Sequence, residues 1–348
     1  MTDLTLGLVG VGRIGVMHAR TITALRDDLQ ASGNTLRLLL TDVATEHARN
    51  VATELGAEFV PSVTQLVDRG LDGLVVATGT STHPELIRVG VEAGLPVFCE
   101  KPVAVDVATS LPVLDHIRDR GGQVMIGHQR RFDAGYLEAK RAYAAGELGW
   151  IHSLRAVTCD MAPPPVEFLR TSGGLFRDCS VHDFDILRWL TGQEIVEVSA
   201  RGSNNGDPAI GAVGDVDTAV ALVTLADGTL GTVSASRYNG AGHDVRLEIQ
   251  GSQGSLLVGL DTTTALRSAE PGVDFPPGPA HRTFAERFAA AYRAEMIAFI
   301  ELIRGERANP CTPKDALAAA RVADAAQESL ATGRPVVVAS LVEPDHRA

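Results

Sequence analysis

The chain has 348 residues, of which 45% are hydrophobic and 21% charged, enough for about two soluble domains with sizeable cores. A net charge of −12 argues against a nucleic-acid surface or an anionic membrane as partner. No apolar run is long enough to span a bilayer, no secretion signal opens the chain, and the four cysteines form no Cys-x-x-Cys pair, so a reducing cytoplasm is the expected setting.

Residues 4–9 are a short apolar, β-favouring run leading straight into Gly10-Val-Gly12-Arg13-Ile14-Gly15 and a helix-compatible stretch to residue 25. Strand, glycine loop and helix in this order are the context of a dinucleotide site. Gly10 permits the tight turn, Gly12 lets backbone approach a pyrophosphate, and Gly15 lets helix pack close to strand. The helix start, with Arg13 and Ile14, offers free N–H groups and the positive end of a dipole. A second strand, 36–40, ends in Thr41-Asp42. An acidic side chain there accepts hydrogen bonds from ribose hydroxyls and repels the extra phosphate of NADP, so NAD is expected. The alternative is an ordinary turn aspartate. The polar stretch 26–34 reads as an enlarged loop that accounts for the long spacing from Gly15 to Asp42.

Helices at 46–55, 63–68, 84–93 and 107–120 then alternate with strands at 58–60, 74–77, 96–99 and 123–127. This grammar implies a parallel, doubly wound sheet whose ligand lies at the carboxyl ends of the strands. Thr78, His83, Glu100 and Lys101 fall at those ends, as cofactor contacts or, for Thr78 and His83, as ordinary loop residues.

After Gly127 the grammar changes. His128-Gln-Arg130-Arg-Phe-Asp133 leads into a helix, and then β-type segments dominate: 151–158, 195–201, 218–224, 230–238, 245–250 and 255–258. A mostly antiparallel sheet is expected, with helices at 284–304 and 313–332 closing the chain and an exposed loop at 261–281. The domain boundary is placed at 127/128, with the last helix able to pack back on the first domain. Between the first two strands of this half stands Ser172-Gly-Gly-Leu-Phe-Arg-Asp178-Cys-Ser-Val-His182-Asp-Phe-Asp185. Read as one helix opened by Ser-Gly-Gly, it puts Asp178, His182 and Asp185 on one face. A carboxylate one turn from a histidine suits a general base. A solvated surface pair and a set of metal ligands are the other two readings of this helix.

The Gly10–Gly15 loop, Glu100-Lys101-Pro102, Gly127-His-Gln-Arg-Arg-Phe-Asp133 and Asp178 four residues before His182-Asp183 together resemble the glucose–fructose oxidoreductase and inositol dehydrogenase superfamily. The resemblance covers nearly the whole chain. It implies a Rossmann domain joined to an α/β domain, and NAD-dependent oxidation of a secondary alcohol of a cyclic polyol or sugar. Inositol 2-dehydrogenases are the nearest pattern, followed by scyllo-inositol or sugar dehydrogenases. It further implies Lys101, Asp178 and His182 as the catalytic trio, and the change of grammar after Gly127 leads to the expectation of a cleft between the two domains with Lys101 on one side and His182 on the other. Arg130, Asp185, Tyr238 and His243 would contact substrate. No metal is implied, and the expected assembly is a homotetramer or homodimer. His243 and Cys159-Asp160-Met161 depart from the tyrosine and Arg-Asp-Pro of many relatives, which bears on which polyol is taken. The same fold also admits a lyase or hydrolase using tightly held NAD, or a nucleotide-binding regulator without catalysis.

Overall fold

The computed structural model describes residues 3–31 and 35–339, so the expected Ser32-Gly33-Asn34 turn lies outside the described residues. The chain divides into two compact units, residues 1–132 with 290–317 and residues 133–289 with 318–348.

The first unit is built on β1 (Asp3–Val9), β2 (Thr35–Thr41), β3 (Glu58–Phe59), β4 (Gly73–Val76), β5 (Val97–Glu100) and β6 (Val124–Gly127), in the order β3-β2-β1-β4-β5-β6. Every described pairing in this sheet is parallel. The strands read as apolar runs because helices cover both faces: Leu6, Leu8, Leu40, Leu74, Val75, Val76 and Phe98 are buried. Chain order reverses between β1 and β4, which makes their carboxyl ends the topological switch point.

Two expectations change here. The helix after the glycine loop runs from Arg13 to Ala31, so residues 26–31 continue the helix instead of forming a loop. Ile22 and Leu25 bury its inner face, and the Arg26 guanidinium donates to the carbonyls of Leu55 (3.2 Å) and Gly56 (3.1 Å) at the end of a neighbouring helix. The predicted helix 284–304 is two pieces, Phe284–Arg287 and Ala289–Ile303, broken at Phe288. From Ala290 on, the longer piece belongs to the first unit, where Phe299 packs on Phe98 with ring centroids 5.8 Å apart. Its apolar surface fits that buried place.

The second unit holds β7 (Ile151–Cys159), β8 (Ile195–Ser203), β9 (Thr218–Leu225), β10 (Leu230–Ser236), β11 (Asp244–Gly251), β12 (Ser255–Val258) and β13 (Val336–Val337), in the order β12-β11-β7-β10-β9-β8-β13. Only the β7–β10 pairing is parallel among those described; the others are antiparallel. One face, with Leu154, Ala221, Val233, Leu247 and Ile249, is buried. The other carries Val157, Val220, Leu222, Leu230 and Thr232 and stays open to varying degrees. The loop at 261–281 is less exposed than its Pro/Gly composition suggests: Thr264 and Ala265 are buried, and the His281 carbonyl accepts from the His243 N–H at 2.7 Å.

Ser172-Gly-Gly proves to be a stop. Ser172 ends a helix spanning Val166–Ser172, and Gly173 (φ 81°) and Gly174 (φ 90°) take the left-handed turn that closes it. A π-helical turn, Phe176–Ser180, then opens onto the helix Val181–Thr191. Single π turns of this kind are frequent at functional sites. Asp178 thus lies in the wider turn and His182 in the regular helix after it.

Candidate active site

In the first unit the glycine loop is held by backbone geometry. Gly10 takes φ 93°, and a Cβ on it would lie 2.7 Å from the Ala77 carbonyl oxygen and 2.8 Å from Thr78 Cγ2. A Cβ on Gly15 would sit 2.0 Å from the Gly10 carbonyl oxygen, so helix and loop touch through backbone alone. Around Gly12, by contrast, a Cβ would meet nothing within 4 Å. The loop is therefore packed from behind at Gly10 and Gly15 and open in front at Gly12. Arg13 is exposed and Ile14 half-buried beside it. Asp42 braces the loop: its Oδ2 accepts from the Val11 N–H at 2.7 Å and its Oδ1 from the Ala44 N–H at 2.8 Å. Each carboxylate oxygen retains a further lone pair for a ribose hydroxyl. Thr78 pairs with Thr82 through their hydroxyls at 2.7 Å.

His83 is buried at 1% exposure, with Nδ1 2.7 Å from the Pro102 carbonyl oxygen and Nε2 3.2 Å from that of Thr78. Burial pushes its pKa below the ordinary imidazole value, although both carbonyls pull the other way. The ring ties the end of β4 to the turn after Lys101 and serves the scaffold of the site. Lys101 itself is half-buried at the end of β5. The preceding Glu100 turns inward, its Oε1 2.7 Å from Nε2 of the fully buried His18. Burial pushes the Glu100 carboxyl up, but the bond to His18 and the charges of His18, Lys101 and His83 outweigh it, leaving the group below its usual range. Tyr292 stacks edge-on against His18. Glu295, one helical turn further on, is fully buried with neither carboxylate oxygen bonded. Desolvation, then the charge of Glu100, push its pKa well above the ordinary carboxyl value. Arg130 is buried in the 3₁₀ turn Gln129–Phe132 that follows β6.

In the second unit the helix Val181–Thr191 is buried along nearly its whole length, His182, Asp183 and Asp185 included. The Thr158 hydroxyl on β7 donates to Asp183 Oδ2 at 2.8 Å and pins the helix to the sheet. Phe176 and Phe184 stack behind the Asp178 turn. Asp178 Oδ2 accepts from Arg237 Nη1 at 3.1 Å, a contact the spacing of residues 172–185 did not announce. His243 is buried with Nδ1 3.1 Å from Asp160 Oδ1. The Tyr238 hydroxyl accepts from the Asp207 N–H at 3.3 Å, so this side chain leans toward the 206–207 loop. Cys159 has its thiol pushed up to about 11 by burial and then by Asp244, which leaves it no thiolate near neutrality. Among the described residues no group of three or more His, Cys, Asp or Glu side chains converges to hold a metal ion.

Comparisons with known proteins match both halves of the chain. Residues 4–128 match the model of the oxidoreductase family, NAD-binding Rossmann fold, and residues 140–338 match the model of the C-terminal alpha/beta domain of the same family, both of the GFO/IDH/MocA group. The chain is 40% identical over 333 residues to myo-inositol dehydrogenase Hyg17 of Streptomyces leeuwenhoekii, covering 95% of this chain and 98% of that protein. The crystal structure of a myo-inositol dehydrogenase from Corynebacterium glutamicum superposes with a TM-score of 0.87 at 35% identity, covering 97% of this chain and 99% of that one. That of scyllo-inositol dehydrogenase from Lactobacillus casei with bound NAD(H) and scyllo-inositol gives 0.85 at 30% identity, covering 97% and 100%.

Proposed function

The chain belongs to the GFO/IDH/MocA oxidoreductase family, and from that premise we propose that it is an inositol 2-dehydrogenase, oxidising one secondary alcohol of an inositol ring with NAD. The observation that carries the NAD half of this reading is the glycine loop, closed behind by the Gly15–Gly10 contact and open at Gly12, with Asp42 at its side. Asp42 favours ribose hydroxyls over a 2′-phosphate, and no basic residue follows it in Val43-Ala-Thr. NAD, when bound, is the acceptor of the hydride.

The chain's own residues supply the proton chemistry. Neutral His182 takes the hydroxyl proton, and Asp178, one turn before it, orients the imidazole and favours its charged form. Lys101 stabilises the developing alkoxide with its ammonium. The Glu100–His18 pair and the His83–Pro102 bond fix the turn from which Lys101 projects. Arg130, Asp185, His243 and Tyr238 are assigned to the polyol, whose hydroxyls require such donors and acceptors. His243 on Asp160 replaces the usual tyrosine and is where the choice among inositol isomers is expected to lie. Relatives acting on myo- and on scyllo-inositol are comparably similar to this chain, so both isomers are candidates. We place the protein in the cytoplasm and read it as a homo-oligomer, with the open face of the second sheet as the subunit contact.

A panel of inositol isomers, sugars and linear polyols with NAD and with NADP tests the reading by absorbance of the reduced nicotinamide. Net NAD reduction by an inositol supports it. Substrate cleavage or dehydration with no net NAD reduction refutes it in favour of a lyase or hydrolase of the same fold.

A further inference from the structure

Arg237, the residue after β10, is among the largest fully buried side chains of the protein. Its main-chain N–H donates to the Asp217 carbonyl at 2.7 Å. Its guanidinium forks between two carboxylates, Nη1 to Asp178 Oδ2 at 3.1 Å and Nη2 to Asp215 Oδ2 at 2.7 Å. The other oxygen of Asp215 accepts the N–H of Leu175 and that of Val216, both at 2.9 Å. Leu175 directly precedes the π turn that carries Asp178. Asp215 therefore holds both the start of the turn and the cation that grips the turn's carboxylate, and the loop of contacts is closed.

A fully buried arginine with two carboxylates is an expensive arrangement if packing is all it achieves. Its charge count suggests more. One cation against two anions leaves one net negative charge on a cluster whose member Asp178 stands four residues before His182, and a proton arriving on His182 would offset it. Only arginine has the planar fork to bind both carboxylates at once.

We infer that Arg237 is a positioning residue for the proposed base: it fixes the Asp178 carboxylate and, with Asp215, sets the charge under which His182 works. This rests on the assignment of His182 as the base. Other charged groups face the turn. The Cys179 thiol lies 3.9 Å from Asp178 Oδ2 and 3.8 Å from Asp160 Oδ2, and Asp160 pairs with His243. Arg177 pairs with Asp324, and Asp217 accepts the amides of Asn205 and Gly206. The Asp160–His243, Arg177–Asp324 and Asp217 contacts do not involve the Arg237 guanidinium, whereas Cys179 shares Asp178 Oδ2 with it.

The experiment is the rate of inositol oxidation against pH for the parent, Asp215→Asn, and Asp215→Asn combined with Arg237→Met, each first shown folded by thermal melting and NAD binding. Asp215→Asn keeps the shape and the acceptor for Leu175 but removes one of the two anions around Arg237, taking the cluster from one net negative charge to neutral, which opposes protonation of His182. Its acidic limb is expected to move to lower pH by about one unit, the size of one altered charge at a few residues' distance in a protein interior. Adding Arg237→Met removes that cation and moves the limb back up, with plateau turnover several-fold lower because Asp178 has lost its anchor. Arg237→Lys, with the charge but not the fork, keeps the limb near the parent's and recovers part of the turnover. Folded variants whose limbs stay at the parent position, or a limb that rises in Asp215→Asn, overturn the inference. The double variant failing to fold leaves the decision to Asp215→Asn alone. His182→Ala is measured beside them: undiminished oxidation there overturns the base assignment and this inference with it, whereas an essential His182 with unmoved limbs overturns Arg237 only. The same shifts in a His243→Asn background exclude His243 as the titrating group; their loss in that background overturns the inference.

Discussion

Asp42 braces the glycine loop, and the ribose role proposed for it can be tested by substitution. Both its oxygens hold backbone amides of the glycine turn and of the next helix, at Val11 and Ala44. Asp42→Ala should therefore loosen the preference for NAD over NADP and also weaken NAD itself. Catalytic efficiencies with the two cofactors measure this, and an unchanged ratio contradicts the ribose role. Glu295 is a residue whose cost depends on pH. Its folded pKa lies well above the unfolded carboxyl value, so the folded chain binds the extra proton and stability falls as pH rises from about 4.3 through the folded value. Glu295→Gln removes that slope. It should melt higher than the parent at pH 8, with the difference vanishing below pH 4; a parallel pH dependence in both proteins contradicts the buried-acid account. Glu295 stands among apolar residues in Tyr292-Arg-Ala-Glu295-Met-Ile-Ala-Phe299, and a lone acid between two aromatics on one helical stripe was a readable sign of it.

At the scale of elements, the glycine loop makes the sharpest contrast. Gly15→Ala drives a Cβ into the Gly10 carbonyl at 2.0 Å and should cost several kcal/mol, enough to unfold the first unit or dislodge the loop. Gly12→Ala meets only open space and should keep the parent melting temperature while NAD affinity falls at least tenfold. Melting curves and NAD titration of the two variants check this, and equal loss of stability in both contradicts it. The parallel sheet, the glycine loop and the β-rich second half were legible because they follow from local periodicity and turn residues. The reading of residues 172–185 as one regular helix missed the π turn that carries Asp178, because a wider turn leaves no mark on apolar periodicity. Arg237 was not legible either, because its partnership with Asp178 spans 59 residues and depends on which strand end meets the π turn. The stop at Gly173-Gly174 was misread as a start because a glycine pair after serine fits either end of a helix, and only the left-handed φ values decide. The helix through residues 26–31 was missed because its charged residues resemble a loop until Arg26 finds the carbonyls of Leu55 and Gly56.

For the molecule as a whole, the open face of the second sheet carries Val220, Leu222 and Leu230, each nearly half exposed, beside Thr232 and Val157. A sheet covered on one face only, with branched side chains on the other, suits a second copy of itself. Sedimentation should find an assembly at micromolar protein, and Val220→Lys with Leu222→Lys should shift it toward monomer; a stable parental monomer contradicts the assembly. The proposed mechanism turns on His182 removing the alcohol proton. The most direct measurement sets His182→Ala beside the parent, with NAD binding and inositol oxidation read on the same samples. A folded variant that binds NAD as the parent does, with turnover lower by roughly 10²–10⁴-fold, is the predicted result. A folded, NAD-binding His182→Ala that oxidises inositol at the parental rate contradicts the account.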